Sequence, residues 1–548
     1  MRMLKAAALL LLVPLSLQSQ QNISPANDAA AWREDLHALA LALPDRHPRA
    51  FYHTSRVQFD SAVNALDRSL ATATRNQSIV GLMQIVALVH DGHTSLNPAF
   101  NPPAGFHFYP IDLYFFKDGL FVRGAAPEYS SIVGARVLKV GVLSPDEALK
   151  AVGTTISHEN DYWVKALAPF YLSTAEVVNG LGISPDAESL TLTVEQGGST
   201  KSVTVRAILP NAAREGNHDG PLDRTGWVDM RNSGERPLYQ QQPEKLHWMT
   251  YLPESKTLYV VYRAVVSTPD DPLAPFFDRV FAAADSLRPD RLILDMRDNG
   301  GGNNSLNLPF VLGIVRRPWL DQPGHFFAII GRRTFSAAMN MVNDLERLTN
   351  VTFVGEPTGN SPNQYGDARP FELPRSGLFV AISSIYWQTM NPQDPRTFVP
   401  PAIATEPNVQ NYRNNIDPAM TAILRHAVEK PLAGRLSPLI MAGDTAGAER
   451  LLRAELSNPE NTWRSLEALV NRLGYDLLAQ HRVPEAVATF AINARVYPAS
   501  GNVWDSYGEG LENAGKRDLA IAAYRKALAI EPRIGSSRDG LRRLGAEP

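Results

Sequence analysis

Between residues 258 and 354, short apolar runs alternate with segments of helical periodicity, and this alternation limits the possible folds more than any other feature of the sequence. The apolar runs cover residues 258–262, 292–296, 326–330 and 351–354, and the helical segments cover 272–287 and 337–348. Strands separated by helices of this size favour a mainly parallel α/β sheet. In such sheets, functional residues collect on the loops that leave the carboxyl ends of the strands. We therefore predict an α/β core over residues 246–430.

The segment before residues 106–208 and the segment after them differ from each other in composition. Apolar residues at helical spacing predict a helical N-terminal domain over residues 28–105. Its first helix is expected over residues 32–43 and should end at Pro44. Residues 209–245 are rich in polar residues and carry few apolar ones, which indicates a polar linker or insertion.

Residues 106–208 have the pattern of a small β-rich module. Short apolar runs predict strands, and the Gly197-Gly198 pair between the last two predicts a tight hairpin. Ser144 and Glu147 have the spacing of a capping box, with a proline at the first helical position, so a helix should begin there.

The last part of the chain repeats itself every 34 residues. Gly474 aligns with Gly508, and Phe490 aligns with Tyr524. This period is typical of the helix–turn–helix unit of tetratricopeptide repeats, in which small residues let one helix approach its neighbour. We therefore predict an all-α tetratricopeptide domain over residues 431–548, in which residues 446–456 belong to a degenerate capping pair.

The N-terminus has the pattern of a secretory signal. Arg2 and Lys5 precede an apolar run over residues 6–17, and a polar stretch follows. A membrane anchor is the alternative, but the run is shorter than the roughly 20 residues that span a bilayer. The prediction is a signal peptide over residues 1–19 and an exported protein, periplasmic or extracellular, with no stable membrane span after cleavage.

Charge and cysteine content exclude several classes of function. The 548 residues include 53 Lys and Arg against 56 Asp and Glu, which leaves no basic footprint for nucleic acid. The chain has no cysteine, so it forms no disulfide, thiolate zinc site or iron–sulfur cluster. It also lacks an H-E-x-x-H motif, and the 12 histidines show no ligand spacing. We expect neither a metal nor an organic cofactor.

A glycine-rich loop follows the predicted strand 292–296. Three successive glycines at 300–302 cost chain entropy and are useful where the backbone turns sharply or approaches a ligand. Free N–H groups in such a loop can hold an anion. An ordinary turn is the alternative. The loop matches neither the P-loop nor the dinucleotide-binding fingerprint.

Ser336 lies between the predicted strand 326–330 and the predicted helix 337–348. Serine is a favoured N-cap residue. A hydroxyl at a helix N-terminus is also well placed to act as a nucleophile, because unpaired N–H groups and the positive end of the dipole surround it.

A serine nucleophile needs a base. His90 and His93 are candidates, whereas His426 has the pattern of a surface residue. No lysine occurs between Lys256 and Lys430, so a Ser–Lys pair would have to come from a distant segment.

Four motifs together resemble the tail-specific (C-terminal processing) protease family, in its branch related to the tricorn protease core. They are Asp-Gly-His-Thr at 91–94, Leu-Asp-Met-Arg-Asp-Asn-Gly-Gly-Gly at 294–302, Thr-Phe-Ser-Ala-Ala at 334–338 and Val-Gly-Glu-Pro-Thr-Gly at 354–359. The resemblance covers about residues 32–414. It implies that the β-rich module is PDZ-like. By motif position it makes Ser336 the nucleophile, with an oxyanion hole from the N–H groups of Gly301 or Gly302 and of Ala337.

The resemblance also constrains the base. The bacterial Ser–Lys branch carries a lysine where this chain has about Ser361, so that dyad is missing. The tricorn-like branch uses an N-terminal histidine, which His93 matches, and a downstream acid. Asp394 lies in the corresponding region, and Glu406 and Glu356 are its rivals. The family histidine follows a serine, whereas His93 follows a glycine.

The resemblance implies a secreted serine endopeptidase that forms an acyl-enzyme on Ser336 with His93 as general base. Its substrates would be peptides or unfolded proteins, and the tetratricopeptide region would bind a protein partner. Two alternatives stay open: a non-catalytic peptide-binding scaffold on the same fold, and an esterase that uses the same serine.

Overall fold

The computed structural model describes residues 28–101, 104–210, 224–426, 432–458, 461 and 465–547. The predicted signal peptide, residues 1–19, lies outside the described residues. Within the described part, no helix combines the length and the apolar character that crossing a membrane requires. The chain divides into two compact units, one reaching to Pro401 and including Thr405–Arg425, the other made of Ala402–Ala404 and His426–Pro548.

The helices are α1 (Ala29–Arg46), α2 (Arg56–Ser69), α3 (Arg75–Ala87), α4 (Pro145–Gly153), α5 (Asp161–Leu172), α6 (Ala175–Gly180), α7 (Leu273–Leu287), α8 (Leu308–Val315), α9 (Ala337–Leu348), α10 (Val409–Arg413), α11 (Pro418–Arg425), α12 (Leu432–Met441), α13 (Thr445–Leu456), α14 (Leu466–Ala479), α15 (Val483–Val496), α16 (Gly501–Asn513), α17 (Arg517–Ile530) and α18 (Gly535–Arg543). The strands are β1 (Ile111–Phe116), β2 (Gly119–Ala125), β3 (Arg136–Val140), β4 (Ser189–Gln196), β5 (Ser199–Arg206), β6 (Val228–Asp229), β7 (His247–Leu252), β8 (Thr257–Tyr262), β9 (Arg291–Asp295), β10 (Phe326–Ile330), β11 (Thr352–Gly355), β12 (Gln364–Gly366), β13 (Arg369–Glu372), β14 (Phe379–Ile382), β15 (Ile385–Trp387) and β16 (Ile403–Ala404).

The central sheet of the first unit runs in the order β11-β10-β9-β8-β7. Strands β8 to β11 are parallel, and β7 is antiparallel to β8. Every residue of β8 and β10 is buried, because α7, α8 and α9 supply a hydrophobic core around the sheet. The predicted mainly parallel α/β sheet is confirmed, and the carboxyl ends of β9 and β10 lead into the glycine-rich loop and the Ser336 segment.

A second, antiparallel sheet runs in the order β1-β2-β3-β4-β5. Gly197 and Gly198 join β4 to β5 with φ values of 59° and 78°, so the predicted hairpin is confirmed. The capping box of Ser144 and Glu147 also forms at the start of α4. This sheet and helices α1 to α3 contribute to one hydrophobic core. The PDZ-like character of the module stays a prediction, as do the predicted domain boundaries.

Two sequence-based details need qualification. The helix predicted to end at Pro44 continues to Arg46, because proline fits helical φ and the His47 N–H closes the last turn on the Leu43 carbonyl at 3.0 Å. Of the predicted polar segment 209–245, residues 211–223 lie outside the described residues. The described remainder includes β6, which pairs with β2.

The second unit consists of consecutive helices that pack in pairs. A Cβ atom added to Gly474 would lie 2.4 Å from the Phe490 ring, and one added to Gly508 would lie 2.7 Å from the Tyr524 ring. The repeated glycines therefore allow α14 to approach α15 and α16 to approach α17, as the 34-residue period predicted. The assignment to the tetratricopeptide class stays a prediction.

Replacing Phe490, which is fully buried, with alanine should lower the free energy of unfolding of the second unit by about 3–5 kcal/mol. Hydrogen exchange of α14–α17 in the full-length protein, followed across a urea series, measures this change. Leu519→Ala is the matched control, because Leu519 is 56% exposed and its loss should change stability by about 0.5 kcal/mol or less. Equal effects of the two variants would contradict the packing described here.

Candidate active site

The glycine-rich loop and the Ser336 segment meet at one edge of the central sheet. They follow β9 and β10, which are parallel neighbours, so both segments leave the same edge. A Cβ atom added to Gly301 would lie 2.6 Å from Ser336 Cβ and 2.8 Å from the Ala337 amide nitrogen. The structure thus brings together Ser336, Ala337 and Gly301, which the sequence predicted for one site.

The backbone of Ser336 has φ 56° and ψ −124°, a conformation that residues with a side chain rarely adopt. Hydrogen bonds on both sides hold it there. The Ser336 N–H donates to Asn360 Oδ1 at 3.0 Å, and the Ser336 carbonyl accepts from Gln364 Nε2 at 3.0 Å. Strain that the surroundings maintain in this way is common at functional sites.

The hydroxyl of Ser336 is not used as a helix cap. Ser336 occupies the N-cap position of α9, yet its side chain accepts no capping hydrogen bond. Within the described residues the hydroxyl makes no hydrogen bond, and the residue is partly exposed. The group is therefore available for chemistry beside the positive end of the α9 dipole.

The amides next to Ser336 differ in their availability. The Gly301 N–H donates to Asn299 Oδ1 at 2.9 Å, while Asn299 Nδ2 donates to the Tyr262 carbonyl at 2.9 Å. The N–H groups of Gly302 and Ala337 donate no hydrogen bond within the described part of the chain. Of the three predicted oxyanion donors, Gly302 and Ala337 are thus the ones with a free N–H.

His93 lies on the loop after α3, which a buried carboxylate organises. Asp91 accepts hydrogen bonds from the His93 N–H at 3.0 Å and from the Thr94 hydroxyl at 2.6 Å. The imidazole packs on the ring of Phe335, the neighbour of Ser336, with centroids 4.4 Å apart. Neither ring nitrogen has a hydrogen-bond partner in the described residues. The structure therefore brings His93 to the residue beside Ser336, but no hydrogen bond joins the two side chains.

Burial and charge act in opposite directions on this imidazole. Burial lowers the pKa of His93, and the carboxylates of Asp91 and Asp367 partly offset this effect. Burial alone would raise the pKa of Asp91, but a hydrogen bond from His47 and the charge interaction with His93 bring it down to about 2. Near neutral pH, a neutral imidazole thus lies beside an ionised carboxylate, with His93 Nδ1 3.9 Å from Asp91 Oδ1.

The predicted acid, Asp394, is engaged elsewhere. Both of its carboxylate oxygens accept hydrogen bonds from Arg396, and Arg396 also binds Glu346. This is the ion pair that a structural role would produce. The carboxylates whose charges act on His93 belong instead to Asp91 and Asp367.

The two rival acids also have basic partners. Glu356 lies 3.6 Å from Arg332, and Glu406 accepts a hydrogen bond from Lys165. Within the described residues, no group of three or more His, Asp or Glu side chains forms a candidate metal site.

Sequence reasoning missed three residues that hold the site together. Asp91 lies inside the Asp-Gly-His motif, so its position beside His93 was a usable signal. Asn360 and Glu159 carry no signal in the sequence, because each acts through hydrogen bonds to segments that are distant along the chain.

No protein-family model and no curated protein sequence matches this chain. Solved structures do. Mature CPAF in complex with lactacystin aligns with 72% of this chain and 97% of its own, at 13% identity and a TM-score of 0.50. A serine-to-alanine variant of CPAF aligns with 73% of this chain and 98% of its own, at 12% identity and a TM-score of 0.52.

This chain has the fold of CPAF. At these identities the similarity shows the fold alone. The expected α/β core with helical N-terminal and C-terminal regions is confirmed.

The burial of His93 predicts that its imidazole titrates below the usual histidine pKa of about 6.5. Because a lowered pKa keeps the ring neutral at more acidic pH, the neutral form should dominate throughout the neutral range. A ¹³C–¹H NMR titration of histidine rings measures this value, and His93→Asn identifies the resonance. A pKa at or above 6.5 would contradict the burial and electrostatics described here.

Proposed function

We propose that this protein is a serine endopeptidase of the tail-specific protease type. The observation that carries the proposal is the convergence at Ser336. A free hydroxyl lies on a strained turn at a helix N-terminus, directly against a glycine-rich loop, and a buried imidazole packs on the adjacent Phe335. These are the parts that nucleophilic catalysis of acyl transfer requires.

In the proposed reaction, His93 accepts the proton of the Ser336 hydroxyl while the oxygen attacks the peptide carbonyl. The oxyanion accepts hydrogen bonds from the N–H groups of Ala337 and Gly302. We assign the loop's share to Gly302 because the Gly301 N–H would first have to leave Asn299. The leaving amine takes the proton from His93, and water then hydrolyses the acyl-enzyme.

The imidazole must approach the Ser336 hydroxyl before the reaction begins. Neither ring nitrogen of His93 has a hydrogen-bond partner within the described residues, so a movement of the side chain breaks no hydrogen bond. Catalytic hydrogen bonds are often long without substrate and tighten in the complex. We assign to Asp91, and not to Asp394, the stabilisation of the imidazolium, because Asp91 lies 3.9 Å from His93 Nδ1.

The remaining parts of the proposal rest on sequence patterns. The basic and apolar N-terminal residues support export, and the 34-residue repeat supports a protein-binding role for the second unit. Peptides or unfolded proteins would be the substrates. The scaffold alternative is favoured by one observation, the missing hydrogen bond between Ser336 and His93.

Ser336→Ala should abolish both covalent labelling by a fluorophosphonate probe and cleavage of an unfolded protein such as casein. Ser305→Ala is the matched control, because Ser305 is an exposed serine of the neighbouring loop and its loss should leave both signals unchanged. Wild-type protein that is folded but unlabelled would favour the scaffold, and ester turnover without peptide cleavage would favour the esterase.

His93→Ala should lower kcat by about 10²–10⁴-fold, which is the usual contribution of a general base. The pH profile supplies a second readout. Burial lowers the pKa of His93, and the neutral ring is the active form. The midpoint of the acidic limb of the kcat/KM profile should therefore lie below about pH 6.5. A variant with wild-type kcat would remove His93 from the mechanism.

A further inference from the structure

Glu159 lies between α4 and α5, far in sequence from both Ser336 and His93, yet its carboxyl group is linked to both by hydrogen bonds, directly to the His93 loop and through Asn360 to Ser336. The Gly92 N–H donates to Glu159 Oε2 at 3.2 Å, and Asn360 Nδ2 donates to Glu159 Oε1 at 2.8 Å. Asn360 in turn binds the nucleophile's backbone, because its Oδ1 accepts a hydrogen bond from the Ser336 N–H at 3.0 Å. A continuous chain of three hydrogen bonds therefore connects the histidine loop to the nucleophile's own backbone.

Neighbouring residues anchor the segment that carries Glu159. The Ser157 hydroxyl accepts the Asp91 N–H at 2.9 Å. On the other side, Asn160 caps α5 through the N–H groups of Tyr162 and Trp163, and its Nδ2 donates to the Thr397 carbonyl. Glu159 is thus held from both directions and acts as a fixed point for the two loops.

Gly92 packs closely against both Phe335 and Glu159. A Cβ atom added to Gly92 would lie 2.8 Å from the Phe335 ring and 3.0 Å from Glu159 Oε2. The Phe335 ring itself lies between His93, at a centroid distance of 4.4 Å, and Trp163, at 4.0 Å. The segment from Ser157 to Trp163 therefore contacts the histidine loop and the residue before the nucleophile at the same time.

This series of hydrogen bonds requires two acceptor atoms on the side chain of residue 159, one for each neighbour. Gly92 and Asn360 both present N–H groups to it, and a carboxyl group offers one oxygen to each. A carboxamide offers one oxygen only. Burial and the nearby charge of Asp91 raise the pKa of Glu159 well above its usual value, which is the cost of keeping this acceptor in place.

From this geometry we propose that Glu159 is the positioning residue that sets the distance between His93 and Ser336, acting through Gly92 on one side and Asn360 on the other. The inference rests on the proposed function for its catalytic readout. It does not make Glu159 a catalytic residue, because it touches neither the nucleophile's hydroxyl nor the imidazole.

The chain of hydrogen bonds predicts a compensating pair of substitutions. In Glu159→Gln, one N–H group must face another whichever way the two carboxamides turn, so one bond is lost. In Asn360→Asp, two carboxyl groups face each other, and a hydrogen bond between them requires that one of them keeps its proton. In the double variant Glu159→Gln/Asn360→Asp, the glutamine oxygen accepts from Gly92, its amide donates to the aspartate, and the aspartate accepts from Ser336. All three bonds are restored, with one reversed in direction.

The test measures kcat and KM for one peptide substrate at pH 8, with active sites counted by probe labelling. Glu159→Gln should lower kcat per active site tenfold or more with little change in KM, because small misplacements of catalytic groups can cost up to about 10²-fold. The double variant should recover to within about threefold of wild type by the same reasoning. Glu188→Gln, an exposed glutamate of the same module, is the control and should match wild type.

The inference would be overturned by wild-type kcat in Glu159→Gln, by no recovery in the double variant, or by loss of folded protein with unchanged kcat per active site. Hydrogen exchange at the Gly92 and Ser336 amides separates this result from failure of the proposed function. If wild-type protein shows no Ser336-dependent turnover, the proposed function fails. Loss of hydrogen-exchange protection in Glu159→Gln and its return in the double variant would still support the positioning role. Unchanged protection would reject it.

Discussion

The close approach of Gly301 to Ser336 and Ala337 is the contact on which the rest of the site depends. Parallel pairing of β9 with β10 brings the two loops to one edge of the sheet, and only a residue without a side chain fits between them. The contact sets the glycine-rich loop against the amide of Ala337 and against Ser336, whose hydroxyl caps no helix. In our proposal, an oxyanion site next to the Ser336 nucleophile arises from this arrangement of the sheet.

The histidine reaches this edge from outside the sheet. His93 belongs to the loop after α3, and the Glu159–Asn360 link connects this loop to Ser336 by hydrogen bonds. The proposed site is therefore assembled from separate stretches of chain, and in our proposal side-chain hydrogen bonds set the spacing between His93 and Ser336. The central sheet positions one half of the proposed site, and this network positions the other.

The sequence was informative wherever a structure depends on local pattern. Apolar runs predicted β8 to β11, the Ser144–Glu147 box predicted α4, and Gly474 predicted a close helix contact. It failed where the partner is remote. Nothing near Glu159 indicates that its carboxyl group will meet Gly92 and Asn360. The Asp394 prediction has a different, local reason: it rests on the downstream place of that residue alone, whereas Arg396, two residues later, binds its carboxylate and Asp91, two residues before His93, supplies the nearby charge.

A crystal structure with a bound peptide boronate tests the central claim most directly, because the boron adduct mimics the tetrahedral intermediate. The account predicts a bond from boron to Ser336 Oγ, one boronate oxygen about 2.7–3.1 Å from the amides of Ala337 and Gly302, and the His93 ring within hydrogen-bond reach of the adduct. Boron bonded to a different residue, or an imidazole still stacked on Phe335 and out of reach of the adduct, would contradict it.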